Sequence, residues 1–193
     1  MSIEATYHRL SPVEFRRATA TQEAWQEYRG SGLPGISIEQ ILQNSANPDP
    51  EFGAKILAAF EQRGNDSSRL DISKDWHVIY YLLTGSAKIC EQHKKGEPLH
   101  NVIFGGLCTG VQTGYGPVRY FDHELISEIS DALSSLDRAT VESRFEPETF
   151  AKLKIYAEPD EDAREMIFDE IDRLRDFFIE ANASGEIILA EAH

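Results

Sequence analysis

Two short stretches concentrate side chains that join an apolar body to a polar tip. DISKDWHVIYYLLTG (Asp71–Gly85) carries Trp76 and His77, and GYGPVRYF (Gly114–Phe121) carries Tyr115, Arg119 and Tyr120. Histidine moves a proton near neutral pH. Arginine offers a planar fork of donors that matches a carboxylate or phosphate. Tryptophan and tyrosine supply flat walls with one hydrogen-bonding end. The five residues therefore predict the rim of a recess for a small anionic ligand, with binding or catalysis as the outcome, provided that the two stretches meet in space. The plain structural alternatives are Trp76 as core and Arg119 in an internal ion pair with Asp75, Asp122 or another acid.

A second constellation is electrostatic. Between Ala157 and Glu180 ten acids face three bases, and this local excess of seven is half of the net charge of -14. Glu158, Asp160, Glu161, Asp162, Glu165, Asp169, Asp172 and Asp176 are its core. Acids at a helix N-terminus suit the macrodipole. As an exposed face they also attract a basic protein partner and speed its approach. The spaced ligands and central glycine of a calcium loop are missing there.

Other chemistries find weaker support. Cys90, His93, His100 and Cys108 begin like a zinc site, but the second pair is spaced too widely, so no metal or other cofactor is expected. The chain contains no P-loop, no Gly-x-Ser-x-Gly elbow and no His-Glu-x-x-His. The stretch FGGLCTGVQTGYGP reads as tight turns over a sheet, with a ligand loop as the alternative.

The elements that must position these residues are mostly helical. Ala5 to Leu10 reads as a strand, with Thr6, His8 and Leu10 on one face and Tyr7 and Arg9 on the other. Ser11-Pro12-Val13-Glu14 spells a capping box. Helices are expected over 22–28, 37–44 and 50–62, and then from a Ser73 cap through Leu83 with Gly85 as its left-handed stop. Periodicity is lost from Lys88 to Gly116. Val118 to Phe121 reads as a strand, and Asp122 caps the helix of Leu125, Ile126, Ile129, Leu133 and Leu136. Short helices follow from Asp137 and Glu146. A long helix over 160–183 ends at Gly185, and Glu186 to Ala190 forms a last strand. The expected class is α+β: one compact, helix-rich domain over 1–193 with a small, mainly antiparallel sheet.

Composition sets the outer bounds. With 193 residues, 41% hydrophobic and 27% charged, the chain is an ordinary globular one. Thirty-three acids against 19 bases repel a phosphate backbone, which argues against nucleic acid. The longest apolar run, Val78 to Leu83, is far short of the roughly 20 residues that span a bilayer, so no membrane role is expected. MSIEATYHRL lacks the pattern of a secretory leader, which makes the cytoplasm the expected compartment and free thiols the expected state of Cys90 and Cys108.

Several segments together resemble a known family. They are YHRLSP, DWHVIYYLLTG, PLHNVIFGG, GYGPVRYF with its helix, RFEPETF, KIYAEPD and LRDFFIEANASGEIILA, in that order over nearly the whole chain. The chain resembles the YfbM-like bacterial family, a domain of unknown function. Where members carry a second histidine or another polar residue in the Trp-His helix, this sequence has Tyr80 and Tyr81. The resemblance implies a single α+β domain from a bacterial cytoplasm, assigns no activity, and associates the family loosely with toxin-immunity systems. Two expectations result. The first is a non-enzymatic, immunity-like protein that docks a basic partner through the acidic face. The alternative is a small-molecule-binding protein or enzyme with the Trp76–Arg119 pocket.

Overall fold

A computed structural model describes residues 3–30, 50–54, 67–89 and 92–193. Strand β1 (Ala5–Leu10) alternates apolar and polar side chains, yet nearly all are buried, because both of its faces are covered. It pairs with β2 (Arg69–Ile72) on one side and with the closing strand β5 (Ile187–Ala192) on the other. The pairing of first and last strands runs from Ala5 opposite Ala192 to Leu10 opposite Ile187. Strand β4 (Gly116–Phe121) lies beside β5, and β3 (Leu107–Thr113) forms the far edge. The order is β2-β1-β5-β4-β3, with every described pairing antiparallel. The expected α+β class with an antiparallel sheet is what the chain forms.

Alternation sorts residues to the two faces. Tyr7, Phe121, Ile188 and Ala190 belong to the larger core cluster. There the Tyr7 ring lies 6.4 Å from Phe121 and 6.4 Å from Phe178. Phe178 comes from the helix Arg164–Ser184. Leu10, Val118 and Leu189 belong to the opposite cluster, which is closed by Ala18 and Trp25. Those two residues come from α1 (Pro12–Ala18) and α2 (Gln22–Gly30).

Local chemistry explains most helix ends. At α1, Ser11 Oγ accepts from Glu14 N, and the Glu14 side chain accepts from Ser11 N, so the capping box forms as read. Helix α3 (Trp76–Thr84) starts later than its sequence suggests. Asp75, not Ser73, is the N-cap, while Gly85 ends the helix at φ 73°. A short α4 (Pro98–Asn101) is followed, after the hairpin, by α5 (His123–Ser135), whose cap Asp122 accepts from Leu125 N at 3.0 Å. Then come α6 (Arg138–Glu142), α7 (Pro147–Leu153), a 3-10 turn at Glu161–Ala163 and α8 (Arg164–Ser184), which Gly185 stops at φ 65°.

The stretch without helical periodicity, 88–116, holds strand β3. Its pairing with β4 shifts between Cys108 and Gln112, a bulge that breaks the alternation used to recognise strands. The helix expected over 37–44 lies outside the described residues. Of the one expected over 50–62, residues 50–54 are described and helical.

Candidate functional site

The β3–β4 hairpin turns through Gly114 and Tyr115, with Thr113 opposite Gly116. Along β4, Pro117 and Arg119 share the face of Phe121, the face of the larger core. Arg119 stands opposite Ala190 of β5 and Cys108 of β3. Helix α3 brings Trp76 to the same side. A hollow of about 380 Å³ results, lined by Trp76, Tyr115 and Arg119 with Ile3, Ile89, Phe104, Gly116, Pro117, Ala190 and Ala192.

Its walls are held firmly. Trp76 Nε1 donates to Ile3 O at 2.9 Å, and Ile3 N donates to Tyr156 Oη at 3.2 Å, so the segment before β1 is pinned to the site. The Trp76 ring packs 5.3 Å from Phe104 and 5.5 Å from Tyr156. Phe104 adopts φ 33°, in the left-handed region that a bulky residue rarely occupies. The next two residues must be glycine. A Cβ on Gly105 would lie 2.3 Å from Asn101 Cα, and one on Gly106 would lie 2.7 Å from Tyr120 O. Close backbone approach on both sides therefore fixes the turn that presents Phe104.

His77 has a different post. Its Nδ1 accepts from Tyr156 N at 2.9 Å, which leaves the proton on Nε2 to donate to Ala87 O at 2.8 Å. The ring stacks on Trp76 at 5.2 Å. With both nitrogens engaged, His77 braces Tyr156 and the segment after α3, and it is not among the lining residues. Tyr120 points to the other side of the sheet, because neighbours in a strand face opposite ways. Its ring lies 5.1 Å from Phe15 beside the second core cluster. Of the five residues singled out in the sequence, the fold thus gathers Trp76, Tyr115 and Arg119 at one hollow and places His77 and Tyr120 elsewhere.

Arg119 also borders a second hollow of about 460 Å³, with Gln92, His93, Gly106, Leu107 and Cys108. Arg119 Nη1 donates to Gly106 O at 3.1 Å and lies 3.8 Å from Cys108 Sγ. Asp122 caps α5, and Asp75 accepts from Ser73 Oγ at 3.4 Å. Burial raises the Asp75 carboxyl above its ordinary value. It also pushes Glu170 up to about 7, with the nearby Asp75 charge adding to the effect and Arg173 opposing it.

Among the described residues no group of three His, Cys, Asp or Glu side chains could hold a metal ion. Cys90 lies outside them. His93 and Cys108 border the second hollow, while His100 Nδ1 lies 3.2 Å from Glu97 Oε2. Among the described residues no helix is long and apolar enough to cross a membrane.

The acidic segment spans the 3-10 turn and α8. Glu158, Asp160, Glu161, Asp162, Glu165, Asp169 and Asp176 are exposed, and Asp172 is half-buried. Several are already engaged. Asp160 caps the 3-10 turn, Glu161 pairs with Arg164 at 3.0 Å, and Asp172 bridges Arg138 at 2.6 Å and Arg175 at 3.0 Å.

Sequence reasoning missed Ile3, Ile89, Phe104, Pro117, Ala190 and Ala192 as lining residues. The Gly105-Gly106 pair after Phe104 is the one signal that marked an unusual backbone there.

A helix-rich α+β domain, built on a five-stranded antiparallel sheet whose first and last strands meet at its centre, is the class that this fold defines. The chain belongs to the family described as Domain of unknown function (DUF1877), whose family model matches residues 1–190. Among solved structures it is similar to the crystal structure of YfbM, a protein of unknown function from Escherichia coli. The TM-score is 0.60 at 16% identity, over 97% of this chain and 98% of that one. At that identity the likeness concerns the fold. No curated protein matches the chain.

Proposed function

We propose that the chain is a small-molecule-binding protein whose site is the hollow between the start of α3 and the β3–β4 hairpin. The observation that carries this reading is the convergence of Trp76, Tyr115 and Arg119, from a helix, a turn and a strand, on one recess of about 380 Å³. That size falls within the roughly 300–1,000 Å³ typical of ligand sites, and mainly apolar walls with few polar groups are their usual make-up. The engagement of both His77 nitrogens favours recognition over proton transfer. Thermal denaturation against a library of small metabolites tests the reading. A ligand should raise Tm in the native chain, and Arg119→Gln and Tyr115→Ala should each reduce that rise. An equal rise in both variants would place the ligand elsewhere.

A second reading, docking of a basic protein partner in an immunity-like role, is favoured by the seven exposed acids between Glu158 and Asp176. Binding of a cationic protein to that face should weaken steeply as salt rises. Salt-independent association would argue against it.

A further inference from the structure

Resting on the reading of this hollow as a ligand site, we propose that its ligand is an uncharged, flat aromatic molecule of one or two rings, seated by hydrocarbon contact with Phe104, Tyr115 and the two alanines of β5.

The polar groups around the hollow are already engaged within the fold. Trp76 Nε1 donates to Ile3 O at 2.9 Å, and Ile3 N donates to Tyr156 Oη at 3.2 Å. Thr113 Oγ1 lies 3.0 Å from Gly116 O and 3.1 Å from Ala192 O, and its proton serves both carbonyls. Arg119 Nη1 donates to Gly106 O at 3.1 Å and lies 3.8 Å from Cys108 Sγ, so this side chain is a wall with partners of its own. An anion seated here would have to compete with those bonds, and the net charge of -14 repels it from the whole molecule. A cation would meet the charge of Arg119. A charge that leaves water without a partner of its own is costly to bury, and an uncharged guest avoids that cost.

Shape selects a ring. Tyr115 is 40% exposed and, among the described residues, its ring stacks on no other. Phe104 is held in place by the turn through Gly105 and Gly106. Offset or edge-on contacts with these two rings reward a planar guest over a flexible one. Ala190 and Ala192 also line the hollow. Ala190 pairs with Arg119 in register, and Ala192, two residues on, shares its face. Leucine at Ala192 would fill the space that a ring needs. The volume of about 380 Å³ lies at the small end of the roughly 300–1,000 Å³ of ligand sites, which suits one or two rings.

Isothermal titration of the full chain with indole, indole-3-acetate, tryptamine and 1-hexanol tests the class. The first three share one ring system and are neutral, negative and positive; the alcohol is apolar but flexible. The expected result is one saturable indole site, bound about tenfold tighter than each of the other three. Ala192→Leu should abolish indole binding. Tyr115→Ala, at an exposed turn, should weaken it several-fold, and serves if the leucine variant does not fold. If either charged compound matches or exceeds indole and Ala192→Leu or Tyr115→Ala weakens it, the uncharged class is wrong but the ligand site stands. 1-Hexanol matching indole, and weakened by the same substitutions, overturns the flat ring and leaves the site. If no probe binds, or if neither substitution weakens binding, both the class and the site are overturned.

Discussion

Glu170 couples the charge of one side chain to the stability of the fold. Its carboxyl, at about 7, titrates well above the 4.5 of an unburied glutamate, first because of burial and second because of Asp75. The folded chain therefore holds this proton over a pH range where the unfolded chain has released it. Stability contributed by the protonated form is present below about 4.5 and is lost as pH rises through about 7. Glu170→Gln should stabilise the protein at pH 8 by ~1 kcal/mol, after allowance for partial solvent screening. The gain should vanish near pH 4. Chemical denaturation at both values checks this, and equal gains at both would refute the coupling. Gly105 gives a second residue-scale prediction. Because its Cβ would meet the Asn101 backbone at 2.3 Å, Gly105→Ala should cost about 3 kcal/mol or more. A denaturation midpoint unchanged by that substitution would mean that the turn yields easily.

At the scale of elements, the capping box of α1 and the long α8 behave as their sequences suggest. Ser11→Ala should cost ~1 kcal/mol, since Glu14 N and the Glu14 side chain lose their partner oxygen. On α8, Phe178 is fully buried against Tyr7 and Phe121, and Phe178→Ala should cost about 3–5 kcal/mol. Urea unfolding of the two variants separates the local from the core contribution. The helices were legible because caps and i, i+3, i+4 stripes are local signals. Gly85 and Gly185 marked their ends correctly, and only Ser73 misled, because Asp75 two residues later takes the cap position. Strands β2 and β3 were harder to read. Both sit at the edges of the described sheet, β2 has four residues, and β3 carries Gly110 and a bulge. Period-two alternation explains the part of the site that sequence reading misassigned. Arg119 and Tyr120 are neighbours in β4 and cannot face the same hollow. His77 shares a helix with Trp76, but Ala87, just beyond the end of that stretch, and Tyr156, remote in sequence, take its nitrogens.

At the scale of the whole molecule, the hollows and the acidic segment lie on different elements. Arg119 sits between two hollows on one side of the sheet, while the exposed acids cluster on the 3-10 turn and α8. The antiparallel pairing of β1 with β5 brings the first and last strands together, so that Ile3, Ala190 and Ala192 line the same hollow as Trp76 and Arg119. A small ligand there would bridge α3 and the hairpin. Amide chemical-shift mapping during titration with the library metabolite that raises Tm most tests this most directly. Saturable shifts centred on Trp76, Phe104, Tyr115, Arg119 and Ala192 are predicted; shifts confined to residues 158–176, or none at all, would contradict it.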